Sequence, residues 1–222
     1  MKTSNIIIIS TIVVFTIGFA INAAGIKKMY DHTNWNDPYR QLQKYPLNKP
    51  IKNVYIITSS DYHSWSSSHW SCPLTVMQGN SNMLMISDTV NIKWQVTDSN
   101  LFVRVGNNGN AVLILPKLQM FSTNGIDCEM NGFNLDTLHL AASASQGRIS
   151  VVNSKFNYLD ASTSKTGAIR ILKSNQIAKL NLTLRGGTFS SEIGFNEVTR
   201  SISPNSTLEL SGNALQWIAQ KK

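Results

Sequence analysis

Between Leu118 and Val198 the chain repeats itself, and that repeat limits its fold more than any other feature. Counted from glycines, the units open Gly125-Ile-Asp-Cys-Glu-Met, Gly147-Arg-Ile-Ser-Val-Val, Gly167-Ala-Ile-Arg-Ile-Leu and Gly187-Thr-Phe-Ser-Ser-Glu, at spacings of 22, 20 and 20. Leu138, Leu159 and Leu180 each open a second apolar piece and lie 21 apart. Two shorter pieces also echo one another, Asn131-Gly-Phe-Asn-Leu and Asn153-Ser-Lys-Phe-Asn-Tyr. A period of roughly 20 residues made of strand-sized pieces is the pattern of a solenoid, whose units bury their apolar faces only by stacking.

Within a unit the apolar residues alternate. Ile149 and Val151 are separated from one another by Ser150, and Ile169 and Ile171 by Arg170. Such period-two spacing makes a strand with one buried face. The pieces between, such as Ser143-Ala-Ser-Gln-Gly and Ser162-Thr-Ser-Lys-Thr-Gly, are rich in turn residues. Several short strands per turn, all wound one way, make a single-stranded parallel β-helix. An antiparallel meander with evenly spaced hairpins would show similar alternation, whereas the Leu/Asn consensus of leucine-rich repeats is absent. The expected fold is an all-β parallel β-helix over residues 51–217, with Ile149, Val151, Ile169, Ile171 and Phe189 pointing inward.

Charge bears on partners. The 222 residues carry a net charge of +8, which favours anionic partners such as acidic glycans, lipid headgroups or nucleic acid. The lysines are scattered, however, and no aromatic-plus-basic nucleic-acid module is present, so no nucleic acid is expected as a partner. Cys72 and Cys128 are too few for a disulfide framework. Cys128 keeps step with Ile126 and Met130, so it reads as a small inward hydrophobe. Whether it pairs with Cys72 is left open by the sequence.

Residues 6–26 carry no charge and are long enough to cross a bilayer, with Lys2 before them and Lys27 and Lys28 after. The expectation for residues 1–28 is an uncleaved signal anchor forming an N-terminal membrane-spanning helix. A cleaved signal peptide is the rival, although Ile21 fits the small-residue cleavage rule poorly. Residues 29–50, with Trp35, Tyr39, Tyr45 and three prolines, are expected to be a linker or a cap on the first coil. Strand patterns follow at Val54–Thr58, Leu74–Met77, Asn82–Ser87, Val90–Val96, Asn100–Val105 and Ala111–Leu115, with Asp98-Ser-Asn as a tight turn. Residues 218–222 are a short basic tail.

Three pieces of this region, Leu74-Thr-Val-Met-Gln-Gly-Asn-Ser-Asn, Asp88-Thr-Val and Val96-Thr-Asp-Ser-Asn-Leu-Phe-Val, resemble the opening of the GIN domain, also called the auto-transporter adhesin head domain. The resemblance covers about residues 47–217. The chain departs from the family pattern in its Ser/His/Trp insertion at 60–72 and in its apolar N-terminus. The resemblance implies a right-handed β-helix in the bacterial cell envelope with an adhesive role, and the family brings no catalytic residues to transfer.

Three groups of residues suggest chemistry. In Tyr62-His-Ser-Trp-Ser-Ser-Ser-His-Trp-Ser-Cys-Pro, the aromatics Trp65 and Trp70 could stack on sugar rings, with His63 and His69 beside them. The imidazoles and Cys72 are metal-ligand types, but their spacing matches no known cage and a fourth ligand is missing, so no metal or other cofactor is expected. The simpler reading, and the favoured one, is that one tryptophan folds back onto the coil as a cap. Asp127 and Glu129 would share one outward strand face with Arg148 and Arg170 on successive coils. Paired carboxylates of this kind can run acid/base chemistry on glycans, while a surface charge ladder explains them more simply. The sequons Asn181-Leu-Thr and Asn205-Ser-Thr read as ordinary turn and strand residues. The expected function is therefore a membrane-anchored envelope module that binds a glycan or protein surface, or its own kind through the helix ends, without catalysis. The alternative is a small lyase or glycosidase.

Overall fold

The structure, a computed structural model, describes residues 14–19, 21–25, 27, 39–58, 74–87, 92–106, 110–143 and 147–215. The chain divides into two compact units, Met1–Gln41 and Leu42–Lys222. In the first unit, residues 14–19 and 21–25 are helical. Among the described residues no helix is long and apolar enough to cross a membrane, so the expected membrane-spanning helix is not seen. Residues 6–13, 20 and 26 of the expected span lie outside the described residues.

The second unit is all β. Its regular part is a solenoid of about four turns. Two runs of parallel strands carry it. In the first run, β8 (Met120–Asn124), β10 (Asn134–Ser143), the first part of β12 (Lys155–Ile171), that of β13 (Gln176–Ser191) and β14 (Glu197–Ile202) stack in chain order. In the second run, β9 (Cys128–Asn131), β11 (Arg148–Val152), the ends of β12 and β13, and β15 (Ser206–Leu210) do the same. The repeat seen in the sequence is this stacking. Leu138 pairs with Leu159 and Leu159 with Leu180, while Cys128, Ile149, Ile169 and Phe189 form one continuous column.

Because every coil places like residues above one another, the interior is a set of apolar columns. Ile149, Val151, Ile169, Ile171 and Phe189 are all fully buried, and Cys128 is buried beside them. Each such side chain contributes about 1.5–3 kcal/mol of burial free energy. A second column runs Leu101, Val54, Phe121, Leu140, Ala161, Leu182 across the first strand run. The turns are held by side-chain bonds between coils. Phe133 N–H donates to Ser154 Oγ (3.1 Å), Ser154 N–H to Asn175 Oδ1 (2.8 Å), and Asn175 Nδ2 to the carbonyls of Val151 and Leu172.

At the other end the coils do not stack in chain order. The coil made by β2 (Asn53–Thr58) and β3 (Leu74–Gln78) lies between that of β8 and β9 and that of β6 (Asn100–Val105) and β7 (Ala111–Leu115). The short link from Leu115 to Met120 therefore passes beyond one coil before rejoining the array. Gln78 secures this crossing, donating from Nε2 to Pro116 O (3.1 Å) and accepting from Asn134 N–H at Oε1 (2.8 Å).

The end itself is antiparallel, which corrects the expectation of one parallel helix over 51–217. β4 (Met83–Ile86) pairs antiparallel with β7, β1 (Gln43–Pro46) with β4, and β5 (Ile92–Thr97) with β6. Alternation is the same in parallel and antiparallel strands, so the residues alone could not reveal the change. The β5–β6 hairpin turns at Asp98, whose φ of 56° is what a two-residue hairpin loop requires. Strand β1 falls in the segment expected to be linker or cap. Its Tyr45 packs onto the core and meets Trp94 of β5 at 4.7 Å between ring centroids, so these two edge strands close the coil end.

Candidate functional site

Of the residues singled out in the sequence, His63, Trp65, His69, Trp70 and Cys72 lie outside the described residues. The carboxylate group can be placed. Asp127 immediately precedes β9 and Glu129 lies within it. Arg170 shares Glu129's column with Ser150 between them, about two strand spacings or ~9.5 Å away. Asp127, Glu129 and Arg170 each have a partner. Asp127 Oδ1 accepts from Arg148 N–H (2.9 Å), Glu129 Oε1 accepts from Asn131 Nδ2 (3.3 Å), and Arg170 pairs with Glu192 at 2.9 Å. Arg148 acts on Asp127 and Arg170 on Glu192, so the two arginines serve different carboxylates and do not meet around the Asp127–Glu129 pair.

Asp127 has a displaced pKa. Although the residue is exposed, burial of its carboxyl raises the pKa above the ordinary 3.8, outweighing the Arg148 charge and N–H, which lower it. A carboxyl with a raised native pKa binds its proton more tightly in the folded state, so stability falls as pH rises through the window just above 3.8. Asp127→Asn keeps an acceptor for Arg148 N–H but cannot titrate. The melting temperature of the wild type should fall through that window relative to this variant, which pH-dependent thermal melts will show. Because the carboxyl is only partly buried on an exposed residue, solvent screening keeps the expected difference small.

The outward surface of the first strand run is polar over several coils. His139, Asp160 and Asn181 lie in one register column. Asp160 joins them, with Oδ2 2.9 Å from His139 Nδ1 and Oδ1 accepting from Asn181 Nδ2 at 2.9 Å. Asn157 Nδ2 donates to Asp136 Oδ1 (2.7 Å), and Lys179 pairs with Glu197 (2.8 Å). Beside them runs a column of small side chains, Ser122, Ala141, Ser162 and Thr183.

Toward the antiparallel end this column continues into Tyr55 and Phe102. Their rings stack with centroids 5.0 Å apart and planes 13° from parallel. Lys93 lies directly opposite Arg104 on the adjoining strands, and Gln95 opposite Phe102. Sequence inspection did not single these residues out. The signal was nonetheless present, because the Asp98 turn fixes which residues of β5 and β6 face one another. Among the described residues no group of three or more His, Cys, Asp or Glu is placed to hold a metal ion.

Fold and surface together define a β-solenoid with a polar face tied from coil to coil. Solved structures of similar outline include a candidate adhesin from Bacteroides fragilis, at 14% identity and a TM-score of 0.43, covering 78% of this chain and 98% of that one. Another is a candidate cell-adhesion protein from Clostridium sporogenes, at 9% identity and a TM-score of 0.25, covering 77% and 98%. No protein-family model matches the chain, and no curated protein does. The solenoid assignment rests on the strand register rather than on these likenesses.

Proposed function

We propose that this chain is a non-enzymatic surface-binding module of the cell envelope, recognising a glycan or protein surface. The observation that supports the reading is the outward face of the first strand run. Its side chains are tied from coil to coil by hydrogen bonds at His139, Asp160, Asn181, Asp136 and Asn157, so donors and acceptors are presented in a fixed array. A preorganised array loses little side-chain freedom on binding, which favours recognition of an extended partner. Membership of the GIN-domain family, right-handed winding, a membrane anchor within residues 6–26 and a β unit outside the cytoplasm belong to the same proposal. So does self-association through the solenoid end at β14 and β15, each of which pairs only with β13 among the described residues.

A glycan array read alongside a product assay on the same sugars tests it. Binding without release of reducing ends or unsaturated products is the expected result. Trp65→Ala with Trp70→Ala should weaken that binding if the 60–72 insertion takes part, and leave it unchanged if the insertion is only structural. The raised pKa of Asp127 favours one second reading, a small glycan-cleaving enzyme using Asp127 as a proton carrier. Product release abolished by Asp127→Asn would establish that reading in place of the first.

A further inference from the structure

Resting on that binding reading, we infer that the Tyr55–Phe102 ridge with Lys93 and Arg104 is a site for a carboxylate-bearing saccharide. Two rings 5.0 Å apart and nearly parallel cannot lie side by side on the sheet, because edge-to-edge rings need a wider separation. The rings therefore stand up from neighbouring strands and stack. Phe102 is 39% exposed, an unusual position for a large apolar side chain on this surface, and it lies between Tyr55 and Gln95. An apolar ring face beside an amide suits a sugar, whose C–H face packs on the ring while its hydroxyls meet Gln95.

The charges supply the second half. Lys93 and Arg104 are exposed and directly opposite in the antiparallel pair, so their backbones are within about 5.5 Å. Like charges so placed repel, and neither has an ion-pair partner among the described residues. A bound anion removes the repulsion, and the planar guanidinium of Arg104 suits a carboxylate in particular.

The same face argues against a dense polyanion. Farther along the stack it presents Asp136, Asp160 and Glu197, which repel a phosphate or sulfate on every unit. The small column of Ser122, Ala141, Ser162 and Thr183 beside them offers a neutral track instead. The fitting occupant is thus a glycan with one carboxylate held by Lys93 and Arg104, a ring against Phe102, and uncharged sugars along the small column.

Binding of the full chain to hyaluronan oligosaccharides, measured by titration calorimetry beside neutral dextran, heparin and oligothymidylate, tests this. Hyaluronan should bind and dextran should not. Lys93→Gln with Arg104→Gln, and separately Phe102→Ala, should each weaken hyaluronan binding by about ten-fold or more. All these side chains face outward, so circular dichroism and melting temperature should hold, and a variant that fails them is replaced by Phe102→Leu or Arg104→Lys. Hyaluronan binding unchanged in the variants, or absent from the wild type, overturns this site. Heparin or oligothymidylate binding more tightly than hyaluronan overturns the carboxylate-saccharide occupant. Binding of other sugars on the array that survives these variants would keep the module while discarding the site, whereas binding of no sugar or surface at all would remove the parent reading.

Discussion

Ile171→Asp is expected to unfold the β unit. Ile171 is fully buried in a column with Val151 below and Ser191 above. The substitution loses about 1.5–3 kcal/mol of apolar burial. It also places a carboxylate where no cation can reach, which costs about 3–5 kcal/mol for an unpaired buried charge. Together these equal much of the 5–15 kcal/mol that a typical domain possesses. The adjacent Arg170→Ala tests the register, because Arg170 points outward to Glu192 and its loss should cost at most about 1 kcal/mol. Chemical denaturation of both variants checks the pair. Equal destabilisation would mean that inward and outward faces have been exchanged.

The second large effect is expected at a glycine. Gly187 has φ of 79°, and a Cβ built there would lie 2.1 Å from the Gly167 carbonyl oxygen on the coil below. Gly167 is itself crowded, its Cβ position being 2.4 Å from Ala142 O. At this corner successive coils touch through backbone alone, so no flexible side chain can give way. Gly187→Ala should cost about 2–5 kcal/mol from the positive φ and the overlap together. Gly132→Ala is the comparison. It also has positive φ (75°) but open space around its Cβ position, so only the conformational part of the cost remains. Thermal melts of the two variants separate the contributions, and an equal loss at both sites would argue against backbone contact at the corner.

Much of the solenoid was legible in the residues because its causes are local and periodic. The 20-to-22-residue glycine spacing marks the crowded corner, and the alternation at Ile149, Val151, Ile169 and Ile171 marks one inward face. What was not legible depended on long-range pairing. Nothing in Met83–Ile86 or Ile92–Thr97 distinguishes an antiparallel edge from one more parallel coil. Stacking β2 and β3 between coils that follow them in sequence requires Gln78 to reach both Pro116 and Asn134, partners 38 and 56 residues away.

The site shows the same division. Asp127, Glu129, Arg148 and Arg170 were found by parity along strands, and their outward positions hold. Asp127 bonds to Arg148 and Arg170 to Glu192 across neighbouring coils, while Glu129 bonds to Asn131 on its own strand, so the four residues do not form one cluster. Tyr55 and Phe102 are 47 apart in sequence and meet only because β2 and β6 pair. Lys93 and Arg104, by contrast, follow from the hairpin count around Asp98-Ser99. Residues that meet through a tight turn can be read from sequence, and those that meet through coil order cannot.

The parallel register that builds both the core and the polar face can be tested with disulfides in a chain carrying Cys72→Ser and Cys128→Ala. Ser162 and Thr183 are direct partners on the outward face, at a parallel-strand distance suited to a disulfide. Asp160 and Thr183 are offset by two residues, roughly 7–8 Å apart and too far to bridge. Under mild oxidation Ser162→Cys with Thr183→Cys should cross-link fully within one chain, and Asp160→Cys with Thr183→Cys should not. Efficient cross-linking of the Asp160 pair and none of the Ser162 pair would mean a different register or strand direction and contradict this stacking of coils.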